Sequence, residues 1–115
     1  MPEHTTQKLL QISFPYQGPF GKDMAKAMID AARSISEEPG LIWKIWTENE
    51  SEKEAGGIYL FKDEATARAY LAKHTARLQA MGISEISVKI FDINKYLSEI
   101  THGPVRQPSA GVINL

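Results

Sequence analysis

The hydrophobic period of this chain changes in a set order, and that order restricts the fold more than any single motif. Lys8 to Phe14 alternates, with Leu10, Ile12 and Phe14 on one face and Leu9, Gln11 and Ser13 on the other, which is the period of a strand. Pro15 to Gly21, with two prolines and two glycines, breaks regular structure. Lys22 to Ser36 then carries Met24, Met28, Ala31, Ala32 and Ile35 at the 3.6-residue spacing of a helix, stopped by Pro39-Gly40. Leu41–Glu48 and Ala55–Phe61 are rich in β-formers, and the charged turn between them makes a hairpin. Gly56-Gly57 marks a bulge or a close backbone approach. Asp63 is an N-cap for a long helix ending at Gly82, with Ala67, Leu71, His74, Leu78 and Met81 as its apolar stripe. Ser84 to Ile93 is the last strand, and Asn94 to Thr101 suits one short helical turn, with Leu97 and Ile100 packing back.

The order βαββαβ with single-stripe helices predicts a ferredoxin-like α+β fold: a four-stranded antiparallel sheet with both helices on one face. At 115 residues there is room for one domain. Its expected limits are a flexible leader over 1–7, the folded unit over 8–101 and an extended tail over 102–115, in which Val112 to Leu115 is apolar enough to dock. Alternation places Leu41, Trp43 and Ile45 under the helices and Ile42, Lys44, Trp46 and Glu48 on the uncovered face. That face also receives Leu9, Gln11, Tyr59, Phe61 and Phe91, a patch too large for a monomer's surface. A homodimer through the sheet, hiding Trp46, Tyr59, Phe61 and Phe91, is the expected solution.

Several functions are disfavoured. A net charge of −1 gives no electrostatic case for nucleic acid or an anionic membrane. No 18-residue apolar run exists to span a bilayer, and the polar start lacks a signal-peptide core, so the cytoplasm is the expected compartment. Without cysteine there is no thiolate chemistry, and the three histidines lack metal-ligand spacing. Neither phosphate-cradling glycine motif is present.

What remains is a pocket between sheet and helices. His74, on an inward face, is either a core histidine bonded to a carbonyl or to Tyr70 one turn away, or a pocket acid/base. Trp43 is either core packing or a pocket wall, with Phe20 as a lid from the Pro/Gly loop. Tyr59 and Tyr70 are further substrate-binding candidates, although the parity of Tyr59 points to the other face. Glu48, Glu50, Glu52 and Glu54 read as solvated loop charge, while Lys73 and Arg77 flank the stripe and could meet an anionic substrate.

Four segments carry a more specific signal: Phe14-Pro15-Tyr16-Gln17-Gly18-Pro19-Phe20-Gly21, Glu38 to Glu48, Glu54 to Phe61 and Ala69 to Leu78. Together they closely resemble the YdhR-type monooxygenases of the dimeric α/β barrel superfamily, over roughly residues 8–100. The resemblance implies two sheets closing into a barrel across a dimer. It also implies oxygenation of a small aromatic or polycyclic substrate without metal or flavin, the substrate stabilising its own carbanion. Other superfamily members degrade haem through a histidine on the second helix, which makes a haem-binding protein with His74 as ligand the alternative. A non-catalytic dimer binding hydrophobic ligands is the third reading.

Overall fold

The computed structural model describes residues 6–105. The elements are β1 (Lys8–Pro15), α1 (Gly21–Ala27), α2 (Ile29–Ile35), β2 (Leu41–Asn49), β3 (Glu54–Phe61), α3 (Glu64–Ala80), β4 (Ser87–Asp92) and α4 (Lys95–Ile100). One antiparallel sheet of order β2-β3-β1-β4 places β1 and β3 centrally, the ferredoxin-like arrangement. The leader before Thr6, and the apolar end of the tail at Val112 to Leu115, lie outside the described residues. Gln7 is buried, and Thr6 Oγ1 donates to the Lys62 carbonyl.

The first helical region kinks. Met28 leaves helical backbone values at ψ 7°, yet Met28 N–H still reaches Met24 O (2.9 Å) and Ala32 N–H reaches Met28 O (2.8 Å). α3 starts as its sequence implies. The Asp63 carboxylate accepts from Thr66 N–H at 2.9 Å and from the Thr66 hydroxyl at 2.7 Å, which holds the Asp63 carboxyl below its usual range. Gly40, at φ +81°, turns the chain into β2 beneath this cap, where any Cβ would collide with Thr66.

Leu10, Ile12 and Phe14 face the helices and form the core with Met24, Ile35, Ala67, Tyr70 and Leu78. Tyr59 and Phe61 join them, 1% and 0% exposed. This corrects the expectation that these two rings meet a partner subunit. Register explains it: Tyr59 lies opposite Leu10, and Phe61 opposite Lys8, so both rings point where Leu10 points. Both faces of β3 are apolar, so alternation alone did not orient it. Burying each of these rings stabilises the fold by about 1.5–3 kcal/mol.

The second correction concerns β2. Leu41 pairs with Phe61 and Trp43 with the adjacent Leu60, so Ile42 is an extra residue and the strand bulges. One inserted residue reverses the parity of everything after it. Leu41 still faces the helices, but so do Lys44 and Trp46, while Trp43 and Ile45 turn to the opposite side. On that side a cross-strand row runs Trp43–Leu60–Leu9–Phe91 across all four strands. The chain after α4 crosses it, with Trp43 Nε1–H donating to the Pro104 carbonyl at 2.7 Å. Leu97 and Ile100 do not pack back: they are 57% and 59% exposed.

Candidate functional site

A cavity of about 250 Å³ opens between the helix side of the sheet and the helices. Its walls are mostly apolar: Phe14 from β1, Met24, Met28 and Ile35 from α1 and α2, Leu78 from α3, and Met81 and Ile83 just beyond it. Trp46 and Tyr59 come from the sheet, Tyr16 from the loop after β1, and His74 and Arg77 from α3. Lys44 completes it. Among the described residues, Lys44 and Arg77 are the only lysine and arginine in this lining, which contains no carboxylate.

Tyr70, His74 and Arg77 project from successive turns of α3. The Tyr70 ring stacks on the imidazole, with centroids 5.0 Å apart and planes 18° apart. Its hydroxyl donates to the Tyr59 hydroxyl at 3.2 Å. Arg77 Nη2 lies 3.2 Å from His74 Nδ1. A guanidinium can only donate, so Nδ1 accepts and the neutral ring carries its proton on Nε2. Burial, then the charges of Lys44 and Arg77, pull the His74 pKa down from 6.5 to about 4.

Lys44 lies along the sheet, its Nζ 3.5 Å from the Trp46 ring centroid and 4.7 Å from that of Tyr59. Gly57, opposite Trp46, makes the room: a Cβ there would be 2.7 Å from Lys44 Cε and 3.1 Å from the Tyr59 ring. So Gly56-Gly57 contains the close approach read from sequence, while the bulge sits on β2. Burial, reinforced by Arg77, lowers the Lys44 pKa to about 7. The same burial, aided by their mutual contact, raises the Tyr59 phenol. Tyr70 is also raised, chiefly by burial, so both stay protonated near neutrality.

Among the sequence candidates, the structure brings His74 and Tyr59 to the cavity. Tyr70 stands directly behind the imidazole. Phe20 does not line the cavity; it packs edge-on against Tyr16, centroids 5.5 Å apart. Trp43 is on the far face, and the wall assigned to it is supplied by Trp46, which sequence parity had sent to the dimer interface. Lys73 is engaged away from the cavity, 2.8 Å from Glu38. Lys44 is the residue that sequence reasoning missed. A lone charge inside Leu-Ile-Trp-Lys-Ile-Trp was the available signal, and its assignment to the uncovered face hid it.

The site is thus a mostly apolar, aromatic-walled pocket with one permanent cation, one amine able to exchange a proton near neutral pH, and one neutral imidazole whose Nε2–H has no partner among the described residues. It can hold an apolar molecule, take a proton from it and stabilise the anion left behind.

Comparison with known proteins agrees with this architecture. A mutant of SnoaB, a cofactor-independent oxygenase from Streptomyces nogalater, has a similar crystal structure. The TM-score is 0.55 at 17% identity, with 77% of this chain and 94% of that chain covered, a likeness of fold. No curated protein sequence matches. Residues 9–104 match the family described as "Putative mono-oxygenase ydhR". That match spans most of the folded region, including every residue of the cavity, and the chain belongs to the ydhR mono-oxygenase family.

Proposed function

We propose that the protein oxygenates a small aromatic or polycyclic substrate in this cavity, with no metal or flavin. The observation that carries the reading is Lys44: a half-buried amine, 3.5 Å from the Trp46 ring centroid, whose pKa is brought to about 7 in an aromatic-walled pocket. As the free amine it takes a proton from an acidic CH2 group of the substrate. The resulting carbanion is held by the Lys44 ammonium and Arg77, and it reduces dioxygen. One oxygen atom ends on the substrate carbon as a carbonyl. The other leaves as water: a CH2 of the substrate becomes C=O, and the substrate itself supplies all four electrons that dioxygen takes up. Trp46 and Phe14 keep the flat substrate out of solvent, and the His74 Nε2–H is suited to bond its oxygen. His74 is therefore a donor rather than the base, since burial beside two cations holds it neutral.

The haem alternative fits these residues poorly. A metal-binding imidazole ordinarily donates its second N–H to an acceptor, which strengthens the ligand. Here the second nitrogen accepts from Arg77, and both cations weaken the ring as a base.

The protein is further proposed to act as a homodimer through the open face of the sheet. Support comes from Ile45 and Phe91, 52% and 42% exposed on that face.

The test is oxygen consumption over a panel of anthrones and hydroquinones, using chelator-treated protein. Turnover by the wild type that falls with Lys44→Met supports the reading. No turnover on any member, or unchanged turnover in both Lys44→Met and His74→Ala, overturns it.

A further inference from the structure

Among the described residues, the cavity lining holds two basic side chains and no carboxylate to balance them. From β2, Glu48 lies on the same face as Lys44, but its carboxylate accepts the Gly21 N–H at 2.8 Å and does not line the cavity. Glu38, on the loop before β2, is 2.8 Å from Lys73. β3 contributes the neutral phenol of Tyr59, and α3 contributes Tyr70, His74 and Arg77. α1 and α2 place only Met24, Met28, Ala31, Ser34 and Ile35 in the lining, and β1 and its following loop only Phe14 and Tyr16. Among the described residues, every ionisable group facing Lys44 within the cavity is therefore neutral or cationic.

An apolar pocket is an unfavourable place for an uncompensated cation, and two repel each other where water is scarce. Burial, then the charges of Lys44 and Arg77, keeps the neighbouring His74 imidazole from protonation. Structural cations in such settings are normally paired with carboxylates. These are not, and both border the open volume.

Resting on the oxygenase reading of the same pocket, we infer that its ligand is an apolar, ring-sized molecule bearing one acidic oxygen group, carboxylate or phenolate, seated between Lys44 and Arg77. Arg77 supplies fixed charge and a donor fork. Lys44 supplies a charge that the ligand itself induces: an anion beside the amine favours ammonium, so a carboxylate bound above neutral pH takes up a proton with it. Neutral molecules of the same shape keep the apolar contacts and lose the anchor.

Isothermal titration calorimetry on the full chain tests this with 2-naphthoate, 2-naphthol and the neutral 2-naphthalenemethanol. At pH 8 naphthoate should bind at least about tenfold more tightly than the alcohol, a difference of about 1.4 kcal/mol. Repeating the titration in buffers of different ionisation enthalpy should show net proton uptake, absent in Lys44→Met. In Lys44→Met and Arg77→Met the preference for naphthoate should shrink toward unity while the alcohol still binds, which also shows that the variants fold. The naphthol arm separates the two acidic groups: phenolate capture appears as affinity exceeding that of the alcohol and proton release falling short of one.

Equal affinity for naphthoate and alcohol, a preference that survives both substitutions, or no binding of any of the three by the wild type overturns the inference. The oxygen-consumption panel fails independently. Charge-selective binding without turnover removes the oxygenase reading and leaves this one, and turnover of neutral substrates without charge selectivity does the reverse.

Discussion

The Arg77 guanidinium donates to His74 Nδ1 across 3.2 Å, and this bond leaves only the Nε2 edge of the imidazole able to act on a ligand. Tyr70 covers one face of the same ring. A histidine on an inward helix stripe is therefore held as a neutral donor, and in the proposed mechanism the proton-exchanging role passes to Lys44.

This bond makes a prediction about pH. The folded-state pKa of His74 is about 4, against 6.5 for the free side chain. Between those values the unfolded chain binds a proton that the folded chain refuses. The contribution of His74 to stability is intact above pH 6.5 and is lost as pH falls toward and through 4. Melting temperature should decline over that window in the wild type and decline less steeply in His74→Gln. Nitrogen-15 shifts of the ring should report the Nε2–H tautomer at pH 7. Titration near 6.5 by NMR would contradict the burial assigned to it.

Lys44 should set the pH dependence of turnover. With a substrate that is neutral in the assay range, kcat/KM should rise as the amine loses its proton through about pH 7, then level. Lys44→Met keeps the apolar stem and removes the base, so the rate should fall by about 10²-fold or more and the rising limb should disappear. A preserved limb in the variant would assign the ionisation elsewhere.

Much of the fold is legible from period alone, because the strand and helix spacings alternate cleanly and Asp63 and Gly82 bound the long helix. The site is less so, and the reasons are specific. Ile42 is an ordinary β-former that sits in a bulge, and nothing in its type distinguishes it from a paired residue. Reading through it exchanged Trp43 for Trp46 and sent Lys44 to the wrong face. Tyr59 and Phe61 were misdirected for another reason: Ile58 and Leu60 make the opposite face of β3 equally apolar, so only the pairing of Tyr59 with Leu10 orients the strand. His74 was recoverable because a helix has one stripe and the histidine lies in it. A lysine laid over a tryptophan ring runs against the ordinary expectation that lysine is solvated, so its significance emerges only with Gly57 beside it.

Gly57 offers a test of that geometry. A methyl group at this position would lie 2.7 Å from Lys44 Cε and 3.1 Å from the Tyr59 ring. Tyr59 is fully buried and bonded to Tyr70, so the flexible lysine is the group that gives way. Gly57→Ala should cost about 1–3 kcal/mol in denaturant unfolding. Its distinctive effect should be on the ionisation, since a lysine displaced toward solvent recovers its ordinary basicity and the rising limb moves above pH 7. A stability loss with an unmoved pH profile would show that Lys44 does not depend on this gap.

The last prediction separates the two faces of the sheet. Phe91 ends the row Trp43–Leu60–Leu9–Phe91, and Ile45 sits one row away, opposite Ile58. Both are exposed, whereas Tyr59 and Phe61, on the other side, are sealed beneath the helices. If two copies meet through the open face, charges at these two positions are buried without partners on association, while in a single chain they remain in water. Ile45→Lys with Phe91→Lys should therefore sediment as a monomer at micromolar concentration, where the wild type sediments as a dimer, and its circular dichroism should be unchanged. Tyr59→Phe removes one buried hydrogen bond worth about 1 kcal/mol and should leave the association state alone. A wild type that is monomeric at that concentration, or a double variant that still dimerises, would place the contact elsewhere on the molecule.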